Sequence, residues 1–344
     1  MKHVLINGFG RIGRCVFRNM WERGSADCTY INEPNMTIEN MIYLIKFDSV
    51  YGRFQGNVEK QSEKTIKVSG RDRTWTITVN HTKDLCEKDY ILRDIQVVVD
   101  ATGNELCAQR SWKYIDGGVG HVIITNTFYD ADFTYIMGHN DKDFNAGKHK
   151  VISAGICDAN AVVPLISKLI SAVGIDFCFV TTLHPWLSYQ NLMDAPVRMQ
   201  RKDNEMHTFF PLGRSSVNSL IPKDTTLGPV LEYIFPALKN KLSYFSYRTP
   251  TQMVASAELS LVLHETVKKD EIKKLLEQCD KNIVALNDED IISIDCEKQP
   301  YSSIVDMRWT SIEGKYLKLV TWYDNEWGYC SRVVDLINRL QAEI

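Results

Sequence analysis

The stretch HVLINGFGRIGRCVFRNMWERG, from His3 to Gly24, constrains the fold more than any other. An apolar run meets Gly8, Gly10 and Gly13 in GxGxxG spacing, and a helical pattern follows at once. Glycines so spaced allow a tight turn, let backbone approach a pyrophosphate and let helix pack on strand, while the helix N-terminus attracts the anion. Ile12, Val16, Phe17 and Met20 share one helical face before Gly24 stops the helix. The next apolar run, CTYINEP, ends at Glu33, about 20 residues on, where a carboxylate binds ribose hydroxyls and repels a 2′-phosphate. A βαβ unit binding NAD rather than NADP is expected. The bland alternative is a plain strand-helix turn with a solvated Glu33.

The runs IQVVVDATG and HVIITNT continue this first-half pattern, as buried parallel strands do. After Cys157 a helix, ANAVVPLISKLISAVG, gives way to the longer strands FCFVTTLHPW, LSYFSYRTP, MVASAELSLVLH and YLKLVTWYD. Their polar and apolar alternation suits a mainly antiparallel sheet. Helical spacing returns at Ile272, Leu275, Leu276 and Cys279, and again at Val333, Val334, Ile337 and Leu340. A chain of 344 residues exceeds one comfortable core. The expected fold class is therefore an α/β Rossmann nucleotide-binding domain plus an α+β catalytic domain with a mainly antiparallel sheet. Residues 185–211 show little periodicity, and a loop of that length is usually functional.

A net charge of −3 offers no electrostatic reason to expect nucleic acid or membrane as a partner. The N-terminal apolar run is too short for a signal peptide or a membrane span. The nine cysteines form no CxxC pair and no metal-type cluster, so no metal is expected, and reduced thiols in the cytoplasm are. Taken alone, Cys157 reads as a packed thiol, the commonest fate of a mid-chain cysteine.

The segments INGFGRIGR, FDSVYGRF, ATG, CDAN, TTLHPWLSYQNLMDAP, LIPKDTT, YRTPT and WYDNEWGYCSRVVDL occur in one order across the chain. Together they resemble the phosphorylating glyceraldehyde-3-phosphate dehydrogenase family. The resemblance implies an NAD-binding domain over 1–155 and 326–344, whose last helix packs back on it, and a catalytic domain over 156–325. It also implies a homotetramer, with the 185–211 loop between subunits. Cys157 falls at the family's nucleophile, His184 at its base, and Asn160 at the end of its cysteine motif. Arg248 and Arg214 match arginines that reach substrate and phosphate groups, and Thr225 matches a threonine of the attacking-phosphate site. For the cofactor the resemblance implies Gly8, Gly10, Arg11, Ile12, Gly13, Glu33, Thr102, Gly103 and Thr125, with Asn325 on the nicotinamide carboxamide. The implied partners are a small aldehyde and inorganic phosphate. A thiolate at Cys157 would form a thiohemiacetal, pass hydride to nicotinamide and leave a thioester. The start of the following helix is expected to lower the thiol's pKa.

Two departures alter these expectations. The family motif Ser-Cys-Thr-Thr-Asn is here Ile156-Cys157-Asp158-Ala159-Asn160. Ile156 cannot donate to a phosphate. Asp158, at the anion site, brings a charge that at about 6 Å and an effective dielectric near 40 repels the thiolate by about 1.4 kcal/mol. The alternative is that Asp158 turns outward and caps the helix. Threonines that contact the substrate's phosphate are replaced by Leu187 and Tyr189. Erythrose-4-phosphate dehydrogenases, a branch of the family, also lack those threonines and share INE and the Pro-x-Asp-Thr form of PKDT. Weak glycolytic turnover and partial release of the acyl enzyme by water are therefore expected. The alternatives are an erythrose-4-phosphate dehydrogenase and, from another class, a degraded NAD-binding scaffold or sensor.

Overall fold

Strand β1 (His3–Asn7) is fully apolar from Val4 to Ile6 because neighbours cover both of its faces. The computed structural model describes residues 3–85, 94–197 and 209–343, so Cys86 and part of the aperiodic stretch lie outside it. One unit comprises 1–135, 140–155 and 330–344, and a second comprises 136–139 and 156–329.

In the first unit, β1 leads into α1 (Arg11–Arg23), which ends at Gly24 in the left-handed region. Val16, Phe17 and Met20 are fully buried and Ile12 partly so. The strands are β2 (Asp27–Asn32), β3 (Asn57–Ser62), β4 (Thr65–Gly70), β5 (Arg73–Asn80), β6 (Ile95–Asp100), β7 (His121–Ile124), β8 (Phe133–Thr134) and β9 (Val151–Ser153). They form one sheet in the order β8-β9-β7-β6-β1-β2-β5-β4-β3. Pairing is parallel from β8 to β5 and antiparallel beyond. The chain leaves β1 toward β2 on one side, and β6 flanks β1 on the other, so the crevice at their carboxyl ends is a topological switch point. The β3–β5 meander is absent from the strand runs read in the sequence. Its signal was period-2 burial at Val58, Ile66, Val68, Trp75, Ile77 and Val79, broken by charges on the open face.

The second unit carries β10 (Ile175–Pro185), β11 (Ile221–Lys223), β12 (Leu242–Thr249), β13 (Ala255–Leu263), β14 (Val284–Asn287), β15 (Ser303–Asp306), β16 (Ser311–Glu313) and β17 (Tyr316–Tyr323). The order is β11-β12-β10-β13-β17-β15-β14, with β16 beside β17. Only β10–β12 and β14–β15 pair in parallel, so the sheet is mostly antiparallel, as expected. Helix α2 (Cys157–Val173) contributes Val162, Leu165, Ile166 and Leu169 to a core shared with Val180, Ala257, Leu259 and Leu319. Helices α3 (Leu227–Ile234) and α4 (Lys269–Leu276) add Val230, Leu231 and Ile272.

From Cys330 onward, helix α5 (Trp327–Ala342) belongs to the first unit. Asn19 Nδ2 donates to Ser331 Oγ at 2.9 Å, and Arg23 pairs with Asp335. Among the described residues, no helix is long and apolar enough to cross a membrane.

Candidate active site

Strand register places chemistry from distant segments on one face. Arg248 of β12 stands opposite both His184 of β10 and Ile221 of β11. One step along, Thr321, Ala257, Thr182, Ser246 and Lys223 form a continuous row across five strands. Side chains two residues apart share a sheet face. His184, Arg248 and Lys223 therefore emerge together, and Tyr323, two beyond Thr321, joins them.

The helix start of α2 meets this face. Ile156 is the N-cap, and its carbonyl accepts both the backbone N–H and the side-chain Nδ2 of Asn160, each at 3.0 Å, which holds the first turn. Cys157 Sγ lies 3.5 Å from His184 Nε2. His184 Nδ1 lies 2.8 Å from the carbonyl oxygen of Pro185, which can only accept, so Nδ1 carries the proton and Nε2 turns a lone pair toward the sulfur.

The alternative for Asp158, turning outward as a cap, is not taken, and two expectations about its effect on the thiol change. Asp158 is 6% exposed and accepts from the Tyr323 hydroxyl at 2.8 Å and from the Cys157 thiol at 3.4 Å through the same Oδ1. The separation is thus far shorter than the expected ~6 Å. The lowered thiol pKa also fails to appear: burial pushes the Cys157 thiol well up, and the charge of Asp158 adds to it, outweighing the helix start. Burial, reinforced by Arg248, pushes His184 down to about 4. At neutral pH the resting pair is therefore thiol and neutral imidazole rather than an ion pair. Tyr323 is raised by burial and by Asp158, so it stays a donor.

Arg248 is buried; its Nη2 donates to Tyr189 Oη at 3.4 Å, while its Nε has no partner among the described residues. Lys223 is pushed down to about 8, first by burial and then by Arg248, with Asp158 and Cys157 pulling the other way. Two cations thus stand together, with Asp158 and Asp224 both acting on Lys223, an arrangement suited to an incoming anion. Thr225 is buried near the start of α3, its Oγ1 accepting the Leu227 N–H at 3.2 Å. Arg214 is exposed and paired with Asp194 at 2.8 Å.

Lys223 and Tyr323 were not singled out as site residues in the sequence. Lys223 lies within the quoted LIPKDTT, but only cross-strand register brings it beside Arg248. The chain also shows no metal-type spacing, yet the fold brings ligand atoms of Cys157, Asp158 and His184 within 4.8 Å of one another. That is close enough to share a divalent cation.

In the first unit the cofactor candidates cluster at the carboxyl ends of β1, β2, β6 and β7. Gly8 has φ +89°, and a Cβ there would lie 2.8 Å from the backbone of Ala101 and Thr102; one at Gly13 would lie 2.1 Å from Gly8 O. Gly10 is exposed and open, at the N-cap of a 13-residue helix with no acid in its first turn. That cradle fits a pyrophosphate. Glu33 accepts from the N–H of Phe9 at 2.9 Å and of Asn35 at 3.0 Å, joining the glycine turn to β2. Thr102 Oγ1 donates to Asp100 Oδ1 at 2.6 Å and Thr125 Oγ1 to Asp100 O at 2.9 Å, with Gly103 next along the chain. The Arg11 side chain is held by Asp48 at 2.7 Å, and Ile12 is half-buried. In the second unit, Asn325 is 5% exposed and its Oδ1 has no partner among the described residues, leaving an acceptor that an amide N–H would satisfy.

Two family models match the chain. The glyceraldehyde 3-phosphate dehydrogenase NAD binding domain matches residues 2–107, and the C-terminal domain of the same family matches 156–325. The chain is 32% identical over 340 residues to a glyceraldehyde-3-phosphate dehydrogenase of Sclerotinia sclerotiorum, covering 97% of this chain and 96% of that one. It is 31% identical over 346 residues to glyceraldehyde-3-phosphate dehydrogenase 2 of Bacillus subtilis, covering 99% and 97%.

Proposed function

Because this chain belongs to the glyceraldehyde 3-phosphate dehydrogenase family and is an NAD-dependent oxidoreductase, we propose that it oxidises a small phosphorylated aldehyde through a thioester on Cys157. The carrying observation is the Cys157–His184 pair at 3.5 Å, with the imidazole lone pair facing the sulfur.

As Cys157 Sγ bonds to the aldehyde carbon, its proton passes to His184 Nε2 and on to the carbonyl oxygen, giving a neutral thiohemiacetal. NAD supplies the hydride acceptor when bound. His184 then takes the hydroxyl proton as hydride departs, leaving the thioester. Arg248, with its free Nε, and Lys223 hold the substrate's anionic group. The backbone at Gly8, Gly10, Arg11, Ile12 and Gly13 would take the pyrophosphate of a bound NAD, and Glu33 a ribose. Thr102, Gly103 and Thr125 line the strand ends, and Asn325, in the second unit, keeps its resemblance-derived role toward the carboxamide. Thr225 and Arg214 keep their resemblance-derived places at the phosphate subsites, though for Arg214 this requires release from Asp194.

Release of the acyl group goes at least partly to water, because Ile156 offers no hydroxyl and Asp158 sits against the sulfur. Tyr189, reaching Arg248 where the family has a threonine, supports erythrose 4-phosphate as the second substrate reading. On β10, Phe177, Phe179 and Leu183 lie exposed on the face opposite His184, in keeping with a homotetramer. The eight described cysteines are free, in keeping with the cytoplasm.

The test is a panel of phosphorylated and neutral aldehydes with NAD, each with and without phosphate, assayed for acyl phosphate and free acid. NADH formation with a phosphorylated aldehyde, lost in Cys157→Ser, is expected. No NADH from any aldehyde, with NAD still bound, would leave the scaffold reading standing.

A further inference from the structure

We propose that Asp158 is the general base that delivers water to the acyl enzyme, so that the chain releases a free carboxylic acid. This rests on the thioester at Cys157 proposed above. It goes further by assigning the second half-reaction to a residue foreign to the family's cysteine motif.

Asp158 is fixed from two sides. Its backbone is in the first turn of α2, and its Oδ1 accepts from Tyr323, itself 2% exposed on β17. That oxygen is 3.4 Å from Cys157 Sγ. In the thioester the acyl carbon is one bond from the sulfur, and a water poised to attack it stands about 3–3.5 Å from that carbon. A base must lie about 2.6–3.2 Å from such a water, and a carboxylate with an oxygen 3.4 Å from the sulfur is near enough for one water to bridge it and the acyl carbon. Asp158 Oδ2 accepts no hydrogen bond from a described residue, so a lone-pair-rich oxygen remains for the water.

The alternatives are poorer. His184 holds the hydroxyl proton at the moment the thioester forms, whereas the carboxylate is then still free. A phosphate approaching the same carbon would meet the charge of Asp158 and no hydroxyl from Ile156, but a neutral water is not repelled. Lys223, on which Asp158 acts, and its neighbour Arg248 are left to the substrate's own anion.

The step balances without any redox partner. Water oxygen bonds to the carbonyl carbon as Asp158 takes its proton and the carbonyl pair moves onto oxygen. The tetrahedral adduct then reforms C=O, the C–S bond breaks with its electron pair going to sulfur, and Asp158 returns the proton to Cys157 Sγ. The products are the acid and the resting thiol.

The experiment follows NADH by stopped flow with glyceraldehyde 3-phosphate and with erythrose 4-phosphate in phosphate-free buffer. For the wild-type chain, a burst followed by steady turnover is expected, with the free acid as product. For Asp158→Asn, the burst should persist while steady turnover falls about 100-fold or more. p-Nitrophenyl acetate, which acylates the thiol without oxidation, reads deacylation independently and should slow by a similar factor. Asp158→Thr, the family residue, provides a second fold and should make turnover depend on phosphate. Turnover of Asp158→Asn within threefold of wild type, burst intact, overturns the base assignment alone. A wild-type chain that turns over only with phosphate does the same. No NADH with either aldehyde and no acylation of Cys157 by p-nitrophenyl acetate overturns the thioester reading, and this one with it.

Discussion

Replacing Asp158 with Asn should convert Cys157 from a reluctant thiol into a reactive one. The carboxylate oxygen is 3.4 Å from the sulfur. At that separation, with an effective dielectric of about 40, a thiolate and a carboxylate repel by about 2.4 kcal/mol. Removing that charge lowers the thiol pKa, and about 2.4 kcal/mol corresponds to roughly a 60-fold gain in thiolate at any pH below it. The helix start, hidden in the wild-type chain, then acts unopposed by a neighbouring charge, although the burial contribution stays. The assay is iodoacetamide alkylation between pH 6 and 9, resolved by peptide mass spectrometry, with the fully buried Cys178 as internal control. Asp158→Asn should react at least tenfold faster at pH 7, with its profile moved to lower pH. An alkylation rate at pH 7 unchanged within twofold would refute the reasoning, because it would mean that no carboxylate charge faces the sulfur in solution.

Other outcomes follow from the same geometry. Lys223→Met should raise KM for an anionic aldehyde by about tenfold or more while changing kcat less, as expected for loss of a charged hydrogen bond of about 1.5–3 kcal/mol. Lys223 is cationic below about 8, so the wild-type KM should climb above that pH and the variant's should not. His184 is depressed from 6.5 to about 4 on folding, so the unfolded chain binds the proton first. Stability is then full above 6.5 and falls as pH drops toward 4, by roughly 2–3 kcal/mol, a loss that His184→Gln should remove in urea titrations at pH 7 and 4.5. Gly8→Ala forces a side chain onto φ +89° and against backbone 2.8 Å away, and should cost about 1–3 kcal/mol and abolish NAD binding measured by calorimetry. Zn²⁺ should shield Cys157 from alkylation, with EDTA restoring it and Asp158→Asn weakening the protection.

The nucleotide end was legible because its signals are local. The apolar run of β1, the glycine spacing and the period of α1 act over a few residues, and Gly8 needs only its own turn to demand glycine. The β3–β5 meander was legible in principle, from alternation at Ile66, Val68, Trp75 and Ile77, but the intervening charges hide it from a search for continuous apolar runs. In the second unit the long alternating strands announced an antiparallel sheet. The two parallel pairings, β10–β12 and β14–β15, are set by connections no single segment reveals.

By itself, then, the sequence determined the two-part architecture, the NAD-type turn, and the identity of the residues to watch at Ile156, Cys157, Asp158 and His184. It could not determine which way Asp158 turns, because the outcome rests on Tyr323, 165 residues away, donating to its buried oxygen. Nor could it place Lys223 beside Arg248, which needs β11 and β12 in one register. Only the tertiary structure decides between a thiol activated by a helix start and one restrained by burial and a contacting carboxylate. Both influences act on the same sulfur, and burial and a charge at 3.4 Å outweigh a partial charge at the helix end.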